Sequence, residues 1–116
     1  MTHAERFGRL IREKREARGI TLRLFAEKLK VSPTYVSLIE QGKCAMPTEK
    51  RVRQMARVLD EDPDELLAEA GRVAKDLPTI IREHPREMAT FLRTAKGLGS
   101  DEIRRLADQA RKLKGS

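Results

Sequence analysis

The chain has 116 residues, 37% charged and 39% apolar, with a formal net charge of +7; this suits one small helical domain, alone or with an extension, and rules out a disordered chain. With 3% aromatic residues and no Trp, a base-stacking platform is excluded, and a single cysteine, Cys44, excludes a disulfide framework or a Cys-based zinc cluster. No apolar run nears the ~20 residues of a membrane span and no leader pattern opens the chain, so the expected location is cytoplasmic.

Thr2 with Glu5 forms a capping-box signal, and Phe7, Leu10 and Ile11 follow at helical spacing toward a stop at Gly19. Thr21 caps a second helix with Leu22, Phe25, Ala26 and Leu29 on one face. Ser32-Pro33 is a cap followed by proline at the first helical position, where its missing N–H costs nothing. The third helix turns Val36 and Ile39 inward and ends at Gly42. Thr48 opens a fourth, with Val52, Met55, Ala56 and Leu59 inward, and Asp62-Pro63-Asp64-Glu65 opens a fifth, closed by Gly71. Beyond it, Leu77, Ile80 and Ile81 predict a short helix from near Pro78, with a kink or break near His84 imposed by Pro85. Met88, Phe91, Leu92 and Ala95 make the next apolar stripe. Gly97-Leu98-Gly99 reads as a loop, and Ser100 as the cap of a last helix striped by Ile103, Leu106, Ala107, Ala110 and Leu113. With Ser100 as cap, Ile103 takes the third position, and the reciprocal half of a capping box is missing. No strand signal and no repeat occurs.

Charge is segregated. Residues 1–59 carry fourteen Lys/Arg and six acids, residues 60–71 six acids and no base, and residues 72–116 eleven bases and six acids. A basic unit closed by an acidic segment points one surface at an anion and another away from it. Between Thr21 and Gly42, two short helices are joined by Lys30-Val31-Ser32, with small Ala26 at the crossing and Val31 plugging the turn. The second of the pair has a narrow apolar edge and a mostly polar opposite side, as a helix-turn-helix requires: one face locks to the scaffold and the other stays free for a groove.

The segment Phe25-Ala26 … Val31-Ser32-Pro33-Thr34-Tyr35-Val36-Ser37-Leu38-Ile39-Glu40-Gln41-Gly42 resembles the helix-turn-helix of the Xre family, the class of phage repressors and Cro. The resemblance covers about residues 5–70, including Pro47, Met55-Ala56 and Pro63-Asp64-Glu65-Leu66-Leu67. It implies an all-α, five-helix DNA-binding domain over residues 1–71 with a helical extension over 72–116. It also implies dimeric binding to inverted repeats in double-stranded DNA, with the third helix in the major groove. Pro33, Thr34, Ser37 and Leu38 would then face base edges, and Arg23, Ser32, Tyr35, Gln41, Lys43 and Arg51 would face phosphates. Two positions depart from the family: Leu22 stands where many members have a phosphate-binding Gln, and Lys30 where many have Gly before the turn. The reading helix offers no Arg, Asn or Gln on its early exposed turns, so much of the specificity is expected from DNA shape, flanking Arg side chains or water. Glu40 is expected to be structural, capping or pairing with a scaffold Arg.

His3, His84 and the acids make no metal-ligand or catalytic spacing, so neither an enzyme nor a cofactor is expected. Cys44 reads as a tolerated loop residue. In the extension, Met88, Phe91, Leu92, Ile103, Leu106, Ala110 and Leu113 are expected to form a homodimer interface. The competing structure is a helical hairpin folded back on the first domain. Two functions share this N-terminal pattern: a repressor, and an antitoxin whose C-terminal helices neutralise a partner toxin.

Overall fold

The computed structural model describes residues 1–115 and contains no strand among them. It divides into two compact units, Met1–Lys75 and a second from Asp76 onward. The first holds α1 (His3–Ala17), α2 (Leu22–Leu29), α3 (Pro33–Gln41), α4 (Glu49–Leu59) and α5 (Pro63–Glu69).

One rule starts all five helices and another ends them. Thr2, Thr21, Ser32, Thr48 and Asp62 each stand just before a helix in extended backbone. Each side-chain oxygen accepts the amide three residues on, at 3.0–3.2 Å, satisfying a donor the helix cannot pair itself. Glu5 returns the favour, accepting from the Thr2 amide at 3.2 Å. That bond holds its carboxyl below the ordinary 4.5, so the box is complete at neutral pH and comes apart only in acid. At the other end, each helix closes through a left-handed residue: Gly19, Lys30, Gly42, Asp60 and Gly71. The next amide then reaches back five residues to a carbonyl, as from Val31 to Ala26 at 3.0 Å and from Lys43 to Leu38 at 2.9 Å.

Phe7, Ile11, Phe25, Ala26, Leu29, Val36, Ile39, Val52, Met55, Ala56, Leu59, Leu66 and Leu67 form one buried core, with Leu10, Leu22, Val31 and Tyr35 half-buried against it. Residues past Gly71 still belong to this unit. Ala74 is buried in the same core, and Arg72 donates through Nε to the Pro47 carbonyl at 2.8 Å.

The placing of α3 depends on polar and steric contacts as much as on apolar ones. Arg15 Nε and Nη2 donate to Glu40 Oε2 and Oε1 at 2.7 and 3.0 Å, and its Nη1 donates to the Ile20 carbonyl at 2.8 Å. Both side chains are nearly sealed, at 9% and 5% exposed. The hydrogen bonds to Glu40 raise the Arg15 pKa further above its ordinary value, so the cation persists at every working pH. Gly8 lets α1 lie directly on the end of α3: a Cβ there would stand 2.2 Å from the Ile39 carbonyl oxygen and 2.6 Å from that of Glu40.

The second unit carries α6 (Asp76–Glu83), α7 (Pro85–Ala95) and α8 (Ser100–Gly115). α6 begins two residues before the expected start, because Pro78 falls in its first turn, where no helical N–H is needed. His84 ends α6 outright and Pro85 becomes the first residue of α7. The start of α8 corrects the sequence reading by one residue. Gly99, not Ser100, occupies the cap: its carbonyl accepts from the Ile103 amide at 3.0 Å, and its amide donates to Glu102 Oε1 at 3.0 Å. Glu102 thus supplies the reciprocal bond that a frame starting at Ser100 lacks. No described helix is long and apolar enough to cross a membrane.

Two stability predictions follow from these contacts. Lys30 holds φ 60° with a Cβ, so Lys30→Gly should stabilise the fold by about 1 kcal/mol, read as a raised urea midpoint; an unchanged midpoint would show the turn to be unstrained. Glu40→Ala leaves a buried guanidinium without its counter-charge and should cost about 3–5 kcal/mol, whereas Arg15→Met combined with Glu40→Leu should recover most of that loss in the same titration.

Candidate nucleic-acid interface

α3 has two unlike sides. Val36 and Ile39 are buried, and Glu40 is turned inward onto Arg15. Pro33, Thr34 and Leu38 are exposed on the outside, with Ser37 half-buried between them. The single carboxylate of this helix is therefore withdrawn from the surface, and the outward side carries hydroxyls, a pyrrolidine ring and an isobutyl group.

The helix ends around this face are electrostatically distinctive. α1, α4 and α5 each place an acid in the first turn, Glu5, Glu49 and the pair Asp64 and Glu65, while α2 and α3 place none. The positive dipole ends of α2 and α3 are thus not neutralised by their own side chains, which suits an approaching phosphate. Arg23, in the first turn of α2, and Lys43, just after α3, are exposed, and their side chains make no hydrogen bond or ion pair among the described residues.

The other expected phosphate contacts sit in more constrained settings. Ser32 accepts the Tyr35 amide at 3.1 Å as the cap of α3. The Tyr35 ring packs on the core. Gln41 donates through Nε2 to Ser37 Oγ at 2.7 Å along the outer side of α3. Arg51 is largely occupied within the scaffold: Nη1 donates to the Leu29 carbonyl at 3.0 Å and to Gln54 Oε1 at 2.8 Å, bracing α4 against the end of α2. Leu22, where a family Gln would stand, packs half-buried against the core instead.

Two residues that hold the site escaped the sequence reading. Arg15 was visible only as an unspecified partner for Glu40. Gly8 left one signal, a glycine inside an otherwise regular helical pattern, which often marks a close backbone approach. Cys44 is half-buried against the core, and His3 bonds the Glu69 carbonyl at 2.8 Å, tying the start of α1 to the end of α5. Among the described residues no cluster of three or more His, Cys, Asp or Glu could hold a metal.

In the second unit, α7 and α8 enclose a groove of about 460 Å³ whose lining includes Phe91, Leu92, Leu98, Ile103, Leu106 and Ala110. Phe91, Leu92 and Ile103 are about half exposed, at 46%, 48% and 51%. Met88 is half-buried outside the groove, and Leu113 stands 80% exposed beyond it. On its polar side, α8 pairs Arg104 with Asp101 and Arg111 with Asp108.

A family model described as a helix-turn-helix domain matches residues 6–70. The uncharacterized HTH-type transcriptional regulator RghRB of Bacillus subtilis is 35% identical over 77 residues, covering 66% of this chain and 55% of the relative. The chain thus spans little more than half of that relative's length. Among solved structures it is similar to the clp gene regulator ClgR of Corynebacterium glutamicum, at 30% identity and a TM-score of 0.53, covering 61% of this chain and 91% of that one. The restriction-modification controller protein C.AhdI of Aeromonas hydrophila is 28% identical with a TM-score of 0.51, covering 54% and 90%. A match over more than half the chain, the cap-bounded five-helix unit and the inward-locked α3 agree: this chain belongs to the helix-turn-helix domain family, with the Xre- and Cro-like fold that its residues resemble.

Proposed function

We propose that this chain is a DNA-binding transcriptional regulator and not an enzyme: a cytoplasmic repressor that binds an inverted-repeat operator as a homodimer, with α3 in the major groove, and blocks polymerase there. The observation that carries the reading is the division of α3 into a locked side and a bare side. Pro33 and Leu38 offer apolar contact to a thymine methyl, and Thr34 and Ser37 offer hydroxyls to base edges. Arg23 and Lys43, with the N-termini of α2 and α3, take phosphates and set the register without reading sequence. Ser32, Tyr35 and Gln41 add neutral polar groups beside them, and Arg51 contributes chiefly as a brace.

A single unit reads one half-site; two half-sites about 34 Å apart call for two copies. The groove between α7 and α8 supports this extension as the joining element, because three large apolar side chains half exposed on one small unit favour burial against a second copy. That two similar structures are those of a gene regulator and a controller protein supports the regulatory role.

Selection from a random duplex pool should return a palindrome. Arg23→Gln and Lys43→Gln should each weaken binding to all sequences and flatten the log affinity against log salt slope by about 0.9. In the 116-residue chain, Phe91→Glu combined with Ile103→Glu should yield a monomer in light scattering and lose at least about tenfold in operator affinity. An asymmetric selected site, or an unchanged mass, would count against the dimer. A wild-type monomer that gains mass only with a second gene product would favour partner capture, as in an antitoxin.

A further inference from the structure

We infer that Gln41 is a positioning residue that sets the direction of the hydrogen bond Ser37 offers to DNA, and that the base facing Ser37 is thereby selected against cytosine. The inference rests on α3 lying in the major groove as proposed above. A serine hydroxyl has one proton and two lone pairs, so in isolation it reads donors and acceptors alike. Here one lone pair is taken: Gln41 Nε2 donates to Ser37 Oγ at 2.7 Å.

The hydroxyl proton has no competing internal acceptor. Thr94 in α7 donates its hydroxyl to the carbonyl one turn back, that of Thr90, at 2.7 Å, whereas Ser37 makes no such bond among the described residues. Accepting the amide also polarises the O–H bond, so Ser37 becomes a better donor and a poorer acceptor for anything further. Thr34, one turn earlier on the exposed side, makes no side-chain hydrogen bond among the described residues and keeps both capacities.

In the major groove, guanine shows acceptors at N7 and O6, adenine at N7 and thymine at O4, while cytosine shows only its N4 donor. A donating Ser37 can meet the first three. Opposite cytosine it has only its remaining, weakened lone pair to offer the N4 donor, and its proton is left without a partner on that base. The neutral contact is small, so the expected penalty is about fivefold at one position.

The test uses the whole 116-residue chain and the half-site returned by selection, with Kd measured for every base at each position. Wild type should show one position where cytosine costs about fivefold against the other three bases, and Ser37→Ala should erase that penalty alone. Gln41→Glu replaces the donor by a carboxylate that only accepts. It should draw the Ser37 proton inward, turn lone pairs to the groove, and abolish or invert the cytosine ratio at the same position, with the melting temperature unchanged. The added negative charge will weaken all sequences together, so the readout is the ratio among bases. In a Ser37→Ala background, Gln41→Glu should leave that ratio as it is. A cytosine ratio unaffected by Gln41→Glu would overturn the inference, as would a Gln41→Ala variant that weakens every sequence equally and keeps the ratio. If wild type selects no site at all, the proposed function fails first, a result readily told apart from either of these.

Discussion

The orientation of α3 hangs on a buried ion pair. Two opposite charges removed from water are stable only while they hold one another, so Arg15 and Glu40 tolerate little displacement. Because the same guanidinium also takes the Ile20 carbonyl, one cation ties α1, the junction leading into α2, and the end of α3. Gly8 adds the steric half of the constraint by letting backbone meet backbone where any side chain would wedge the helices apart. The pair has an electrostatic effect as well. It removes the only carboxylate of α3 from the outward side, the one proposed to face DNA.

The remaining charge is arranged in the same sense. Part of the acidic run after α4 is spent on α1, through Lys14 with Glu61 at 3.0 Å and Arg18 with Asp60 at 3.6 Å. The helices that start without acids are α2 and α3, and Arg23 and Lys43 beside them are unpaired among the described residues. On the proposed function, affinity for duplex comes mainly from neutralised phosphates, while a reading face of hydroxyls and apolar groups discriminates more gently than bidentate Arg or Gln would.

Much of this was legible in the residues before any coordinates, for a local reason. A cap oxygen and the amide it accepts are three residues apart, so Thr2, Thr21, Ser32, Thr48 and Asp62 announce helix starts without reference to tertiary structure. The stops at Gly19, Gly42 and Gly71 are equally local; those at Lys30 and Asp60 carry no glycine, and their left-handed turns show only in the folded backbone. The error at Ser100 was also local: two residues compete to cap α8, and Glu102 decides for Gly99 by reaching back to its amide. What sequence could not supply was long-range pairing. The Arg15 to Glu40 contact spans 25 residues, and Arg51 reaches from α4 to the last carbonyl of α2. Such partners are named only once the chain has folded, which is why the sequence offered Arg51 as a candidate phosphate contact and not as a brace.

The inward and outward residues of α3 do not overlap: Val36, Ile39 and Glu40 anchor it, and Pro33, Thr34, Ser37 and Leu38 do not. Stability and recognition are therefore nearly independent variables on a single nine-residue rod. With the outward residues reading DNA as proposed, the target can change by a few substitutions while the frame beneath them stays intact.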